Sequence, residues 1–180
     1  KSESSYIHLG YEAVTLSPET VKLLGFKTDG KDVQMSGRKG IYVNADEIIG
    51  KLENRILIES KQRNGDLDDN PLNEIAHNVA VGTIKYELIK PDLDKIITFD
   101  INSSLQLEGD TCSYIQYSCV RAARILEKSD NEPDFGVLSD QLNTKYELNL
   151  IKQIGMFEVF VNDAAKNYSP KVIAKYCYSL

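Results

Sequence analysis

Tryptophan is absent from this chain of 180 residues, histidine occurs only twice and cysteine only three times. Cys112, Cys119 and Cys177 make no C-x-x-C pair and stand far in sequence from His8 and His77, so their spacing builds neither a zinc site nor a disulfide framework. We therefore read the cysteines as small buried apolar residues and assign no metal ligands. Long apolar runs are missing as well. Nothing approaches the roughly 18 consecutive apolar residues of a bilayer span, and the opening Lys1-Ser2-Glu3-Ser4-Ser5 lacks the apolar stretch of a signal peptide. The expectation is a soluble, cytoplasmic chain with no membrane partner. There is no basic excess either: the net charge is -6, with ten basic against nine acidic residues in 1–65 and eleven against eighteen in 66–180. That balance argues against a generic nucleic-acid binder and against DNA as a partner. Internal repeats and low-complexity segments are also absent.

Hydrophobic residues make up 42% of the chain, enough for a core in one domain, or one domain and part of another. Residues 6–16 are rich in β-branched, aromatic and aliphatic side chains and predict a strand. Ser17-Pro18 then supplies an N-cap and first-turn pair for a short helix that Gly25 ends. Residues 27–40 hold three glycines and no sustained apolar period, which predicts an exposed, mobile loop without regular structure. Asn44 with Glu47 forms a capping pair before a helix to about Asn64-Gly65, with Ala45, Ile48, Ile49, Leu52 and Ile56 on its apolar face. Asn70-Pro71 opens a second long helix, whose face we read as Ile75, Val79, Gly82, Tyr86 and Ile89. Residues 91–108 read as a linker with at most a short helix or strand.

A third helix follows Gly109-Asp110-Thr111. Ile115, Cys119, Ala122 and Leu126 fall on its apolar face, and Tyr114, Tyr117, Arg121 and Arg124 on the adjoining one. Thr144 and Glu147 make a capping box for a helix that Gly155 interrupts. Ser169-Pro170 opens the last helix, with Ile173, Tyr176, Cys177 and Leu180 on its face. No glycine or basic turn closes that helix, which leads us to expect a piece of a longer protein.

The segment that can carry chemistry is Gln34-Met35-Ser36-Gly37-Arg38-Lys39-Gly40. Its glycines let backbone approach oxygen atoms closely, Ser36 can donate a hydrogen bond, and Arg38 and Lys39 can neutralise charge that builds up on a transferring phosphate. On composition alone this suits a polyphosphate, and it equally describes a solvated surface turn. It is not a Walker loop, because G-x-x-x-x-G-K-[ST] does not occur.

Met35-Ser36-Gly37-Arg38-Lys39-Gly40, followed by Tyr42-Val43-Asn44-Ala45-Asp46-Glu47, resembles the KMSKS loop of arginyl-tRNA synthetases and the helix after it. Glu108-Gly109-Asp110-Thr111-x-x-Tyr114-Ile115-Gln116-Tyr117-x-x-x-Arg121 is similar to the segment joining the catalytic and anticodon-binding domains of that family. Between them, Val79-Ala80-Val81-Gly82-Thr83-Ile84-Lys85-Tyr86 looks like its V-A-x-G-A-I-K-Y helix. Three blocks in register are far more specific than one loop. The resemblance is dense over residues 6–126, and from 127 onward only the helical pattern supports it.

The resemblance implies a mainly α fold: the start of a helical anticodon-binding domain, attached to the last strand and helices of a Rossmann-like class I catalytic domain. The implied division is 1–107 for the catalytic part and 108–180 for the anticodon-binding part. It implies an arginine–tRNA ligase that activates L-arginine with ATP, assisted by Mg2+, and transfers it to tRNA(Arg). Its HIGH signature and amino-acid pocket do not occur within these residues, so the chain alone is expected to be inactive. Within the ATP loop of Gln34, Met35, Ser36, Gly37, Arg38 and Lys39, the resemblance assigns catalysis to Lys39 first and Arg38 second. Gln34 stands where the motif has its first lysine, and Lys31 is a candidate substitute upstream. Tyr114, Tyr117 and Arg121 are read as tRNA-stacking or interdomain residues, packing being preferred, and Lys85 and Tyr86 as structural. Two other readings stay open: a non-catalytic helical interaction module, and a synthetase-like paralogue without catalysis.

Overall fold

The computed structural model describes residues 6–35, 43–63, 69–129, 142 and 144–180, which divide into two compact units, Lys1–Ser104 and Leu105–Leu180. In the first, strand β1 (Val14–Leu16) leads into helix α1 (Pro18–Leu23). Ser17 is the N-cap, its side chain accepting from the Thr20 N–H, and Pro18 occupies a first-turn position where a backbone donor would have no helical partner. Gly25, at φ 85°, ends the helix: its N–H donates to Lys22 O and that of Phe26 to Val21 O. This is the Schellman pattern that only a residue free of a Cβ adopts without strain. The predicted strand is thus confined to three residues, and residues 6–13 form no strand.

Helices α2 (Ala45–Arg63) and α3 (Asp69–Ile89) pack against each other. On α2, Leu52 and Ile56 are buried, Ile48 and Ile49 half-buried and Ala45 exposed. On α3 the expected face is corrected. The buried stripe is Leu72, Ala76, Ala80 and Thr83, with Tyr86 and Glu87, while Ile75 and Ile89 are exposed. The alanines explain the difference, since small side chains permit close helix approach, and a search for large apolar residues passes them over. His77 Nδ1 also meets Glu53 Oε1 at 2.6 Å across the pair.

A three-stranded sheet completes the unit, in the order β2-β1-β3. Strand β2 (Val33–Gln34) runs antiparallel to β1, and β3 (Ile97–Phe99) runs parallel to it on the other side. Strand β2 corrects the sequence reading, because it falls in a segment expected to lack structure, whereas the linker 91–108, read as holding at most a short helix or strand, holds one of each, β3 and helix α4 (Ile101–Ser104).

Asp100 ties the carboxyl ends of the parallel strands together. Its carboxylate accepts from Ser17 Oγ and, at 2.7 Å, from the Ser103 N–H, while the Ile101 N–H donates to Thr20 Oγ1 at 3.0 Å. Burial pushes the Asp100 carboxyl up, but hydrogen bonds from Ser17, from the backbone and side chain of Ser103 and from the Asn102 backbone outweigh it. Together they hold the group below the ordinary carboxylate range.

The second unit contains helices α5 (Cys112–Glu127), α6 (Lys145–Gly155), α7 (Phe157–Asn167) and α8 (Pro170–Ser179). Gly109, at φ 85°, turns the chain so that Thr111 can cap α5, accepting from the Tyr114 N–H at 3.2 Å and donating to Gln106 O at 2.7 Å. The capping box of α6 is complete: Glu147 N–H donates to Thr144 Oγ1, and Thr144 N–H donates to Glu147 Oε2. α6 ends at Gly155, after which α7 begins. Phe157 and Phe160 pack on Tyr176, with ring centroids 5.6 and 4.9 Å away.

The helix starts here match expectation, but the faces do not. On α5 only Cys112 and Ser113 are buried, Ile115 is half-buried, and Cys119, Ala122 and Leu126 are exposed. On α8, Ala174 and Tyr176 are buried while Cys177 and Leu180 are exposed. The reading of three buried cysteines therefore holds for Cys112 alone. An apolar helix stripe is buried only where another element covers it, and helical periodicity does not supply that element.

Candidate functional site

The approach to the cation-bearing segment is a tight turn. Gly30, at φ 87°, donates its N–H to Thr28 Oγ1, and the Lys31 N–H donates to Asp29 Oδ1 at 3.3 Å. Lys31 itself is exposed. The chain then enters β2, where Val33 pairs with Leu16 and Gln34 with Thr15. Successive strand residues face opposite sides of a sheet, so Gln34 shares the face of Thr15 while Met35 belongs to the other.

On the first face, Thr15 of β1 and Thr98 of β3 meet Asp32, the residue before β2. Thr98 of β3 donates to Asp32 Oδ2 at 2.9 Å, and Thr15 of β1 lies 3.0 Å from the same Thr98 hydroxyl. The Thr15 hydroxyl also donates to Ile97 O at 3.3 Å. Gln34 is exposed on this face.

On the other face, Met35 is half-buried and lines an apolar cavity of about 170 Å³. Val14, Leu16 and Phe99 contribute from the sheet, Val43, Ala45 and Ile48 from the start of α2 and the residue pair before it, and Ile84 and Leu88 from α3. Two of the sequence blocks thus meet here, the Met35-to-Glu47 block and the Val79-to-Tyr86 helix. Of the predicted ATP-loop residues, Gln34 and Met35 are placed in this way, whereas Ser36, Gly37, Arg38 and Lys39 lie outside the described residues. Sequence reasoning missed Ile84, Leu88 and Phe99. Ile84 lay within a quoted block, but only the tertiary fold brings it beside Met35.

The third block is in the second unit. Tyr114 packs edge-on against Tyr178, with ring centroids 5.6 Å apart. Tyr117 is 49% exposed, and the Arg121 guanidinium lies 5.7 Å above its ring, a cation–π pair presented to solvent. Lys85 is exposed, and Tyr86 is buried with Lys90 above its ring.

Comparison with known proteins gives first a class and then a family. Residues 115–180 match the DALR anticodon binding domain, so α5 to α8 belong to a helical anticodon-binding domain. The chain is 37% identical over 180 residues to the arginine–tRNA ligase of Borrelia hermsii, covering 99% of this chain and 28% of that protein. It is 33% identical over 187 residues to the Deinococcus radiodurans ligase, again covering 28% of its length. Among solved structures, Thermus thermophilus arginyl-tRNA synthetase superposes with a TM-score of 0.74 at 32% identity, over 96% of this chain and 26% of that one. The chain belongs to the arginyl-tRNA synthetase family, and spans little more than a quarter of the length of these relatives.

Proposed function

We propose that the protein containing this chain ligates L-arginine to tRNA(Arg) at the expense of ATP, releasing AMP and pyrophosphate in the cytoplasm. In the first step an arginine carboxylate oxygen attacks the α-phosphorus and pyrophosphate leaves; in the second a terminal ribose hydroxyl of the tRNA attacks the adenylate carbonyl and AMP leaves. The observation that carries this reading is collinear similarity to such ligases across 99% of the chain. Residues 1–107 are assigned to the end of the catalytic domain and 108–180 to the start of the anticodon-binding domain.

Within that assignment Lys39, with Arg38 beside it, stabilises charge developing on the triphosphate, and Gln34, Met35, Ser36 and Gly37 complete the ATP loop. Mg2+ accompanies the nucleotide's phosphates, as a small cation that keeps part of its water shell. Among the described residues no cluster of His, Cys, Asp and Glu is placed to hold it. Tyr117 and Arg121, stacked and exposed, suit an unpaired nucleotide of the tRNA.

The test is arginylation of bulk tRNA by the full-length protein, with other amino acids as controls. Charging with arginine alone is expected. Lys39→Ala should lower the rate by about 10²- to 10³-fold, the usual cost of removing one preorganised charge-stabilising group. The 180-residue chain by itself should not charge tRNA. Gln34, in place of the motif's first lysine, favours one second reading, a paralogue that has lost catalysis. Failure to charge any amino acid would select it.

A further inference from the structure

We infer that one face of α5, made by Tyr117, Arg121, Arg124 and Lys128, holds the sugar–phosphate backbone of the tRNA and supplies affinity without reading its sequence. This rests on the synthetase reading above and extends the Tyr117–Arg121 pair to two cations that none of the three sequence blocks includes.

The four residues are separated by four, three and four positions. At 3.6 residues per turn they fall within about 60° of one another around the helix and span about 16 Å of its length. Lys128, the C-cap, keeps right-handed helical backbone angles and so stays in line. The apolar side chains Ile115, Cys119, Ala122 and Leu126 centre about 160° away around the same axis. An element packed on that apolar stripe leaves the cationic one facing away from it. The anchoring of α5 has the same consequence: Cys112 and Ser113 are buried in its first turn and Tyr114 meets Tyr178, whereas every residue from Tyr117 to Lys128 is exposed.

Charge distinguishes this face from an ordinary solvated one. Residues 105–180 carry eight basic and ten acidic residues, yet the stripe has three cations and no anion. Glu127, on its flank, accepts from Arg124 Nη1 at 2.7 Å. An exposed pair of that kind contributes little and yields to a phosphate. Tyr117 ends the row, with the Arg121 guanidinium 5.7 Å above its ring. Cations in line with an aromatic ring suit a nucleic-acid strand of any sequence, because the cations follow phosphates and the ring stacks on any base.

The experiment measures equilibrium binding of the full-length protein to two transcripts, tRNA(Arg) and the same tRNA with a changed anticodon, between about 50 and 200 mM KCl. Arg124→Gln combined with Lys128→Gln should flatten the slope of log affinity against log salt by about 0.7–0.9 for each charge removed. Both transcripts should weaken by the same factor, to within about twofold, since phosphate contacts carry no sequence information. Tyr117→Ala should weaken both by about 5- to 100-fold and leave the slope in place. Lys128→Arg keeps the charge and should keep the slope. Lys128→Gln alone should give about half the change in slope, and keeps the test decisive if the double variant does not fold. An unchanged slope in the glutamine variants, a loss confined to one transcript, or wild-type binding by Tyr117→Ala overturns the inference. A wild type that charges no amino acid overturns the synthetase reading itself, in an assay independent of these binding measurements.

Discussion

The two units differ in what holds them together. Of the thirteen apolar side chains buried among the described residues, ten lie in Lys1–Ser104 and three in Leu105–Leu180. The first unit therefore has a shared core, in which Leu16, Phe99 and Ile101 from the sheet region join Leu52 and Ile56 of α2 and Leu72, Ala76 and Ala80 of α3 among the buried residues. The second has well-made helix ends and uncovered faces: Ile125 and Leu126 on α5, Leu148 and Ile154 on α6, and Val159 on α7 are all more than half exposed. Helix formation and helix burial are thus separate achievements. Caps decide where a helix starts, but most helical stability in a protein comes from packing an amphipathic face.

Core truncation should break this comparison most visibly. Leu52 is fully buried, and Leu52→Ala should destabilise the first unit by about 2–5 kcal/mol, the usual range for a leucine replaced without collapse of the site. In the second unit, Tyr176→Phe removes only the hydroxyl that donates to Gln153 O at 3.1 Å. That change should cost about 0.5–1.5 kcal/mol. Urea denaturation followed by circular dichroism measures both. A smaller loss for Leu52→Ala than for Tyr176→Phe would mean that the first unit does not depend on its core in the way described.

What the sequence made legible follows the same division. Ser17-Pro18 with Gly25, and Thr144 with Glu147, announced their helices because a cap is a contract between residues two to six positions apart. The face of α3 was misread because Ala76 and Ala80 carry little hydrophobic bulk, and their burial is decided by α2. Strand β3 was hidden in an apparent linker, since its pairing partner Thr15 lies 83 residues before Thr98. At the candidate site, the block containing Met35 was legible as a motif. Its seating was not, because β2 is two residues long and too short to show an alternation. Ile84 and Leu88 acquire meaning only when α3 is placed over the sheet. The exposure of Cys119 and Cys177 was equally out of reach, since composition says what could be buried and the neighbours decide what is.

Acidification sharpens the comparison from another side, because Asp100 belongs to the first unit. Its folded carboxyl lies below its unfolded value, so its stabilising contribution is fully present above the unfolded pKa of about 3.9 and is lost as pH falls through the folded pKa. Asp100→Asn should therefore lower the Tm at pH 7, and the gap from wild type should close as pH drops below about 4. Thermal melts at a series of pH values provide the test. A gap that stays constant down to pH 3 would show that the Ser17 and Ser103 hydrogen bonds do not favour the ionised form.

The smallest expected effect probes a flaw inside the better-packed unit. Thr83 is fully buried in α3, and its Oγ1 has no hydrogen-bond partner among the described residues. A buried hydroxyl left unpaired costs about 1–3 kcal/mol, and threonine is also a poorer helix former than alanine by up to about 0.7 kcal/mol. Thr83→Ala relieves both penalties but leaves a void where a methyl and a hydroxyl were packed, at a cost of about 1–3 kcal/mol for two groups of that size. The terms nearly cancel, so Thr83→Ala should leave stability unchanged or raise it by up to about 1 kcal/mol, in contrast to Leu52→Ala on the facing helix. A loss above about 1.5 kcal/mol in the same urea titration would mean that the Thr83 hydroxyl is satisfied in solution, and that the core of the first unit contains a polar contact absent from the structure.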